Sequence, residues 1–443
     1  MGKTYIVVGA GFRGFCDAMT LLQNPNNNVH IIESAPFFGG IAYSRTVKGF
    51  AVDKGVHMFD SIPRELASTI DEIMDGHVAE IDFISASAFN GVVTEGFSLP
   101  DLSSLDEGVK SKIATELIEL AAKYESQKTP KNLLDLLHNR YGKTAGNVFA
   151  DIFNNVYSVK AQDVQPDAIS KTSLGRLKFL DDQEMMVLKA HPWLDTVLAA
   201  RRKAQKKIDD YVTLYPNNGD AMKGWCERAA LWLQKKGAKI HLGEKILNIH
   251  DDGGAVTLTT DKNKIEADRV IWSNDNIFGL SQALGFTFDT KNYVSGTPMI
   301  FATFITKAED IKNFTYLQNF DPEGITYRTA AAGIFSNQVT DDGLSFITCE
   351  CPTQIASEFW NNFESQYENI WQECKDLGVV AKNAQLVDHE VIRIPSTFKI
   401  GKIGYKEKVD EFIEILRNKS PNTILRDVTP FFRREIYLDT LEI

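Results

Sequence analysis

No apolar run in this chain approaches the roughly 18 residues that a membrane-crossing helix needs, so no transmembrane segment is expected. Repeats and low-complexity tracts are absent too. Positive charge is in deficit: 48 Lys and Arg face 59 Asp and Glu, a net charge of −11. That balance argues against nucleic acid as a partner. Cysteine is scarce, with five scattered residues. Cys349 and Cys351 would share one strand face about 6–7 Å apart, but no second pair completes a zinc site. Reduced structural thiols, no metal and a cytoplasmic location are expected. The chain enters a strand almost at once, without the basic and apolar regions of a secretory signal, so no leader is expected. What the sequence does have is size: 443 residues, enough for a large core and more than one lobe.

The stretch from Tyr5 to Glu33 organises the reading. Tyr5-Ile6-Val7-Val8 is short and β-branched, as a strand buried on both faces should be. Gly9-Ala10-Gly11-Phe12-Arg13-Gly14 follows, then a helical run, then Val29-His30-Ile31-Ile32-Glu33. Gly9 permits a tight turn, Gly11 lets backbone approach a pyrophosphate, and Gly14 lets the helix pack close to the sheet. The helix would aim its free N–H groups and positive dipole end at that pyrophosphate. Glu33, roughly 20 residues past the glycines, is placed to accept bonds from ribose hydroxyls. Strand, turn, helix, strand and acid together predict a dinucleotide site, which the fingerprint alone leaves open between NAD and FAD.

Beyond Glu33 come Gly39-Gly40 and then Asp53-Lys54-Gly55-Val56-His57-Met58-Phe59. This order resembles the FAD-dependent clan of amine oxidases, protoporphyrinogen oxidases, phytoene desaturases and UDP-galactopyranose mutases. The resemblance implies FAD as cofactor. It implies that Gly39 and Gly40 run along it and that Gly55, Val56 and His57 approach the flavin ring. His57 would bond the ring or shuttle a proton, or else be a structural histidine bonded to backbone; Asp53 is expected to organise the turn. Ile246 matches the position whose backbone lies near the adenine, and Arg426 falls in the final cofactor segment. Arg328 resembles the arginine with which the mutases hold a substrate diphosphate, its fork suiting phosphate oxygens. The alternative is a surface strand arginine. Tyr327 and Tyr405 could stack on a sugar or base, or pack in the core.

The expected fold class is α/β: a Rossmann-type FAD-binding domain, discontinuous in sequence, with an α+β substrate-binding domain containing an antiparallel sheet and a helical insertion. Residues 1–60, 211–275 and 395–443 are expected to build the cofactor domain. Residues 61–210 would form a helical cap, and 276–394 the substrate-domain sheet and helix. Helices are expected at 63–75, 102–124, 132–141, 222–236, 354–377 and 406–418. A charged helix is expected within 171–210, a strand at 333–336, and a hairpin with Asn90-Gly91 near its turn.

Two departures from the clan stand out. Its Trp-Gly is not found near Ala161-Gln162, and no glycine follows the last strand, where Leu425-Arg426-Asp427 stands instead. Weaker FAD binding, or completion of that end by another subunit in a homo-oligomer, is the expectation. No second GxGxxG offers a nicotinamide site. The leading expectation is therefore an FAD-dependent oxidoreductase acting on a small molecule. The alternatives are a UDP-galactopyranose mutase-like enzyme acting on a nucleotide sugar without net redox, and a non-catalytic flavin-binding relative.

Overall fold

A computed structural model describes residues 2–126, 128–201, 210–427, 430 and 432–440. The chain divides into two compact units, residues 1–81, 208–291 and 406–443 in one, 82–207 and 292–405 in the other.

The first unit is built on a five-stranded sheet in the order Lys239–Leu242, Asn28–Glu33, Thr4–Val8, Arg269–Trp272, Thr423–Leu425. Every neighbouring pair is parallel. The apolar runs read from sequence explain its place in the core: Ile6, Val7, Val29 and Ile31 are completely buried. The helices Phe12–Leu21 and Ala221–Lys235 belong to this unit. A three-stranded antiparallel sheet of Ile246–Asp251, Val256–Thr260 and Lys264–Ala267 belongs to the same unit. The first segment runs on to Ile81 because Phe59–Pro63 and Val78–Glu80 both pair with Tyr211–Pro216.

The second unit carries a seven-stranded sheet in the order Asp388–Ile394, Met299–Lys307, Leu344–Pro352, Arg328–Ala330, Tyr316–Asn319, Ser85–Phe89, Val92–Glu95. Only Tyr316–Asn319 with Ser85–Phe89 is parallel. Asn90 and Gly91 take φ of 50° and 70°, the left-handed pair that a two-residue hairpin turn requires. A helical layer packs around Leu137, Tyr141, Phe149 and Phe153. The fold is thus the expected pairing of a Rossmann-type α/β unit with an α+β unit holding an antiparallel sheet and a helical insertion.

Four local expectations are corrected. The strand expected at 333–336 is a helical turn, Ala332–Phe335, in which Gly333 lies so close to Ser345 that a Cβ would meet its Oγ at 2.2 Å. The helix expected over 354–377 is broken. Ala356 sits at φ 69°, Ser357 caps a new start by accepting from Trp360 N at 3.0 Å, and the main helix begins only at Tyr367. Within 171–210 there are two short helices, Asp182–Leu188 and Pro192–Val197. Most of the expected basic run there, residues 202–209, lies outside the described residues. The helix expected at 132–141 continues to Tyr157 across a break at Gly142, φ 79°.

Candidate functional site in the first unit

The glycine turn has the geometry its spacing predicts. Gly9 takes φ 106°, which favours glycine, and its N–H donates to Ile32 O at 2.8 Å. Gly14 is packed so tightly that a Cβ would lie 1.8 Å from Gly9 O. Gly11 caps the helix Phe12–Leu21 with ordinary extended backbone, and nothing lies within 4 Å of where its Cβ would be. The turn therefore crowds glycine where helix meets strand and leaves open space where the helix N–H groups point. Glu33 stands at the tip of the second strand. Its Oε2 accepts from Ala10 N at 2.9 Å and its Oε1 from Ala35 N at 2.8 Å. The carboxylate is thereby fixed against the turn, with lone pairs left over for hydroxyl donors.

Gly39 N donates to Ala10 O at 2.8 Å, and Gly40 lies against Gly11, 3.2 Å from its would-be Cβ to Gly11 Cα. Both take positive φ, 116° and 58°. Gly243 N and Glu244 N donate to Ala35 O and Glu33 O at 2.8 and 3.0 Å. These bonds bring Ile246, at the start of its strand, to within a few residues of the Glu33 tip. Gly9, Gly11, Gly14, Glu33, Gly39, Gly40 and Ile246 thus gather around one turn.

Gly55 takes φ 98° and opens the bend that leads to Val56 and His57. His57 is half-buried, and its Nε2 lies 3.1 Å from Lys54 O. A carbonyl can only accept, so Nε2 carries the proton in that bond, and neutral His57 is then the tautomer with an acceptor at Nδ1.

Asp53 is almost fully buried. It accepts from Ser44 Oγ at 2.5 Å, Tyr215 OH at 2.6 Å and Met222 N at 3.4 Å, while Ser44 Oγ accepts from Lys223 N at 2.8 Å. Asp53 and Ser44 together serve the free amides at the start of the helix Ala221–Lys235. Burial pushes the Asp53 carboxyl up from 3.8 to about 6, against the opposing pull of its hydrogen bonds and Arg433. A carboxyl that holds its proton better folded than unfolded stabilises the fold fully below the unfolded value, and that contribution is lost as pH rises through about 6. The loss is on the order of 3 kcal/mol. Melting temperatures measured from pH 4 to 7 should therefore fall more steeply for the wild type than for Asp53→Asn; parallel curves contradict this assignment.

The helix Arg433–Thr440 packs on the helix Phe12–Leu21 through charge. Arg13 Nη1 donates to Asp439 Oδ2 at 2.6 Å, and Arg426 Nη2 donates to the same oxygen at 2.9 Å and to Asp439 O at 2.8 Å. Arg426 Nε lies 3.4 Å from Asp17 Oδ1, within ion-pair reach but out of hydrogen-bond alignment. Asp17 is completely buried, accepts from Ser273 Oγ at 2.5 Å, and is raised by burial. Arg433 lies with its guanidinium over the rings of Phe12 and Phe59, 5.5 and 5.3 Å from their centroids, and donates through Nη1 to Met58 O. Phe12, Phe15, Phe59 and Trp225 form one aromatic cluster there. Arg13, Asp17, Asp439, Arg433 and Trp225 were not singled out from sequence. Arg13 and Asp17 carry a signal that could have found them: charges on the apolar helix Phe12–Leu21.

Arg328 lies in the second unit. Its fork is engaged by Glu350 across adjacent strands, Nε to Oε1 at 2.7 Å and Nη2 to Oε2 at 2.9 Å. Burial works against the Arg328 charge, and Glu350 together with Tyr327 and Tyr316 more than offsets it, so the guanidinium is raised overall. The buried Tyr327 accepts at its hydroxyl from Gln318 Nε2 at 2.8 Å, and Tyr157 is buried beside it.

Residues 7–73 match the family profile of the NAD(P)-binding Rossmann-like domain. No curated protein matches the sequence. Among solved structures, reduced UDP-galactopyranose mutase superposes with a TM-score of 0.75 at 15% identity, covering 100% of this chain and 93% of that one. The chain shares the fold of that structure. A protein assigned as a protoporphyrinogen oxidase from Exiguobacterium sp. 255-15 gives a TM-score of 0.68 at 14% identity, covering 100% and 98%. Putrescine oxidase bound to putrescine gives 0.64 at 12%, covering 99% and 96%. Among the described residues no helix is long and apolar enough to cross a membrane, and no His, Cys, Asp and Glu group could hold a metal ion.

Proposed function

We propose that the first unit binds FAD and that the chain is an FAD-dependent oxidoreductase acting on a small molecule. The observation that carries this reading is the cradle at Gly11: a helix N-terminus with no atom within 4 Å of the would-be Cβ, Glu33 fixed beside it, and Gly40 packed against it. The turn Gly9–Gly14 and the helix amides suit a pyrophosphate. Glu33 suits a ribose, the Ile246 backbone an adenine, and the segments Gly39-Gly40 and Gly55-Val56-His57 the rest of the cofactor. Bound FAD would supply the electron transfer. The chain's own task near the ring falls to His57, whose Nε2–H is anchored on Lys54 O. The purified protein should hold flavin absorbance that a substrate bleaches and an acceptor restores. A protein with neither flavin absorbance nor a rise in melting temperature on adding FAD would leave the non-catalytic reading standing.

A second reading, a mutase-like enzyme acting on a nucleotide sugar without net redox, draws support from the similarity to UDP-galactopyranose mutase and from the buried Tyr157 and Tyr327 beside the half-buried Arg328. It ranks second because a diphosphate on Arg328 would have to displace Glu350, and breaking a buried pair is costly. Tight binding of a nucleoside diphosphate sugar only after dithionite reduction would favour it; full activity of Arg328→Ala would exclude the diphosphate from that arginine.

A further inference from the structure

Two histidines meet at the outer edge of the parallel sheet. His30 Nδ1 lies 3.1 Å from His241 Nε2, with the ring planes 9° apart and the centroids 5.3 Å apart. At that centroid separation the rings meet in line, nitrogen to nitrogen, so one N–H donates to one lone pair. The flanking groups fix the direction. Burial raises the Glu244 carboxyl, but bonds from Asn263 Nδ2 and Thr260 Oγ1, both 2.7 Å, more than offset it, so the carboxyl is lowered overall and stays ionised. Its Oε1 lies 3.4 Å from His241 Nδ1 and can only accept, so His241 carries its hydrogen there and accepts at Nε2. His30 then donates from Nδ1 and accepts at Nε2, where Asn28 Nδ2 lies at 3.2 Å. Asn28, His30, His241 and Glu244 form one directed chain in which both rings are neutral.

That chain joins the strand Asn28–Glu33 to Lys239–Leu242, a four-residue strand at the sheet edge. It ends where the cradle is tied together, since Glu244 N donates to Glu33 O and Gly243 N to Ala35 O. An added proton does not fit it. On His30 Nε2 the proton would face the Asn28 amide, and on His241 Nε2 it would face the His30 N–H. Burial, Lys239 and His241 all oppose a charge on His30 and hold it down at about 4. The charges around the pair are Lys239, opposite His30 in the ladder, Glu244, Lys262, whose Nζ would lie 3.7 Å from a Cβ at Gly243, and Asp268, which accepts from Thr4 N. His250, Lys264 and Glu266 of the antiparallel sheet are exposed.

We infer that His30 and His241 form a proton-operated latch on the Glu33 side of the cradle, closed while both rings are neutral and released, with the strand Lys239–Leu242 and the Glu33 tip, when a proton enters. Its effect on a bound nucleotide rests on the FAD reading above; the latch itself does not. The sign follows from linkage. With the strand open, His30 takes its proton near 6.5, whereas the closed pair refuses it down to about 4, so the closed form is fully favoured above 6.5 and loses that advantage as pH falls toward 4.

Hydrogen exchange of the full chain at pH 7 and pH 5, corrected for intrinsic rates, tests it. Protection of residues 239–244 relative to Thr4–Val8 should fall about 10- to 30-fold in the wild type, and less than about 3-fold in His30→Gln, whose amide takes up no proton. No loss in the wild type, or equal losses in the two proteins, overturns the latch. Should His30→Gln fail to fold, His241→Gln takes its place, and the wild-type result remains decisive alone. ADP titration at the same pH values tests the tie to Glu33: affinity should fall with protection in the wild type and hold in His30→Gln. Protection that falls while wild-type ADP affinity holds overturns that tie. A wild type that binds neither FAD nor ADP at pH 7 overturns the cofactor reading instead, and the exchange experiment then decides the latch by itself.

Discussion

Gly11→Val leaves the protein folded and without flavin. The backbone at Gly11, φ −77° and ψ −174°, is available to any residue, and its Cβ would touch nothing within 4 Å. The fold therefore loses little, about 1 kcal/mol for a poorer helix cap. The branched side chain instead fills the space in front of the helix amides, where the pyrophosphate is proposed to sit. FAD affinity should drop by about 100-fold or more, since several charge-assisted bonds are blocked together. Gly14→Ala is the opposite case. Its Cβ would meet Gly9 O at 1.8 Å, so strand and helix must part. The cost is about 3 kcal/mol or more. Circular dichroism melts paired with FAD titration separate the two: Gly11→Val keeps its melt and loses FAD, whereas Gly14→Ala loses its melt. A Gly11→Val protein that stays yellow contradicts the placement of the cofactor.

Glu350→Ala destabilises the second unit by about 3–5 kcal/mol, the usual result of leaving one member of a buried ion pair alone. Glu350 is only 2% exposed, and both its oxygens are occupied by Arg328. Replacing both partners, Arg328→Met with Glu350→Leu, removes the stranded charge and should recover most of the loss. Urea unfolding of the single and double variants measures this directly. A single variant within about 1 kcal/mol of the wild type would mean that the pair is not the buried unit described above.

The Rossmann-type half was legible because its signals are local. Strand, turn, helix and acid lie within residues 5–33, and each glycine answers to its own backbone position. The charge cluster was not legible for the opposite reason. Arg13 and Asp439 stand 426 positions apart, and only the close packing of two helices brings them together. Asp53 was read as organising its turn, and it does more, since Ser44, Tyr215 and the amides of a helix beginning at Ala221 converge around it. Arg328 was read as free to hold phosphate or exposed on a strand. Its cross-strand partner Glu350 becomes visible only once the register of Arg328–Ala330 against Leu344–Pro352 is known. The broken helix after Gln354 turns on single residues, Ala356 and Ser357, which periodicity averages away.

The most direct measurement is gel filtration of the purified chain after incubation with FAD, read by visible absorbance. The cradle at Gly11 predicts flavin colour eluting with the wild-type protein and with free FAD only for Gly11→Val. Colour that elutes apart from the wild type, or equally with both proteins, would contradict the account.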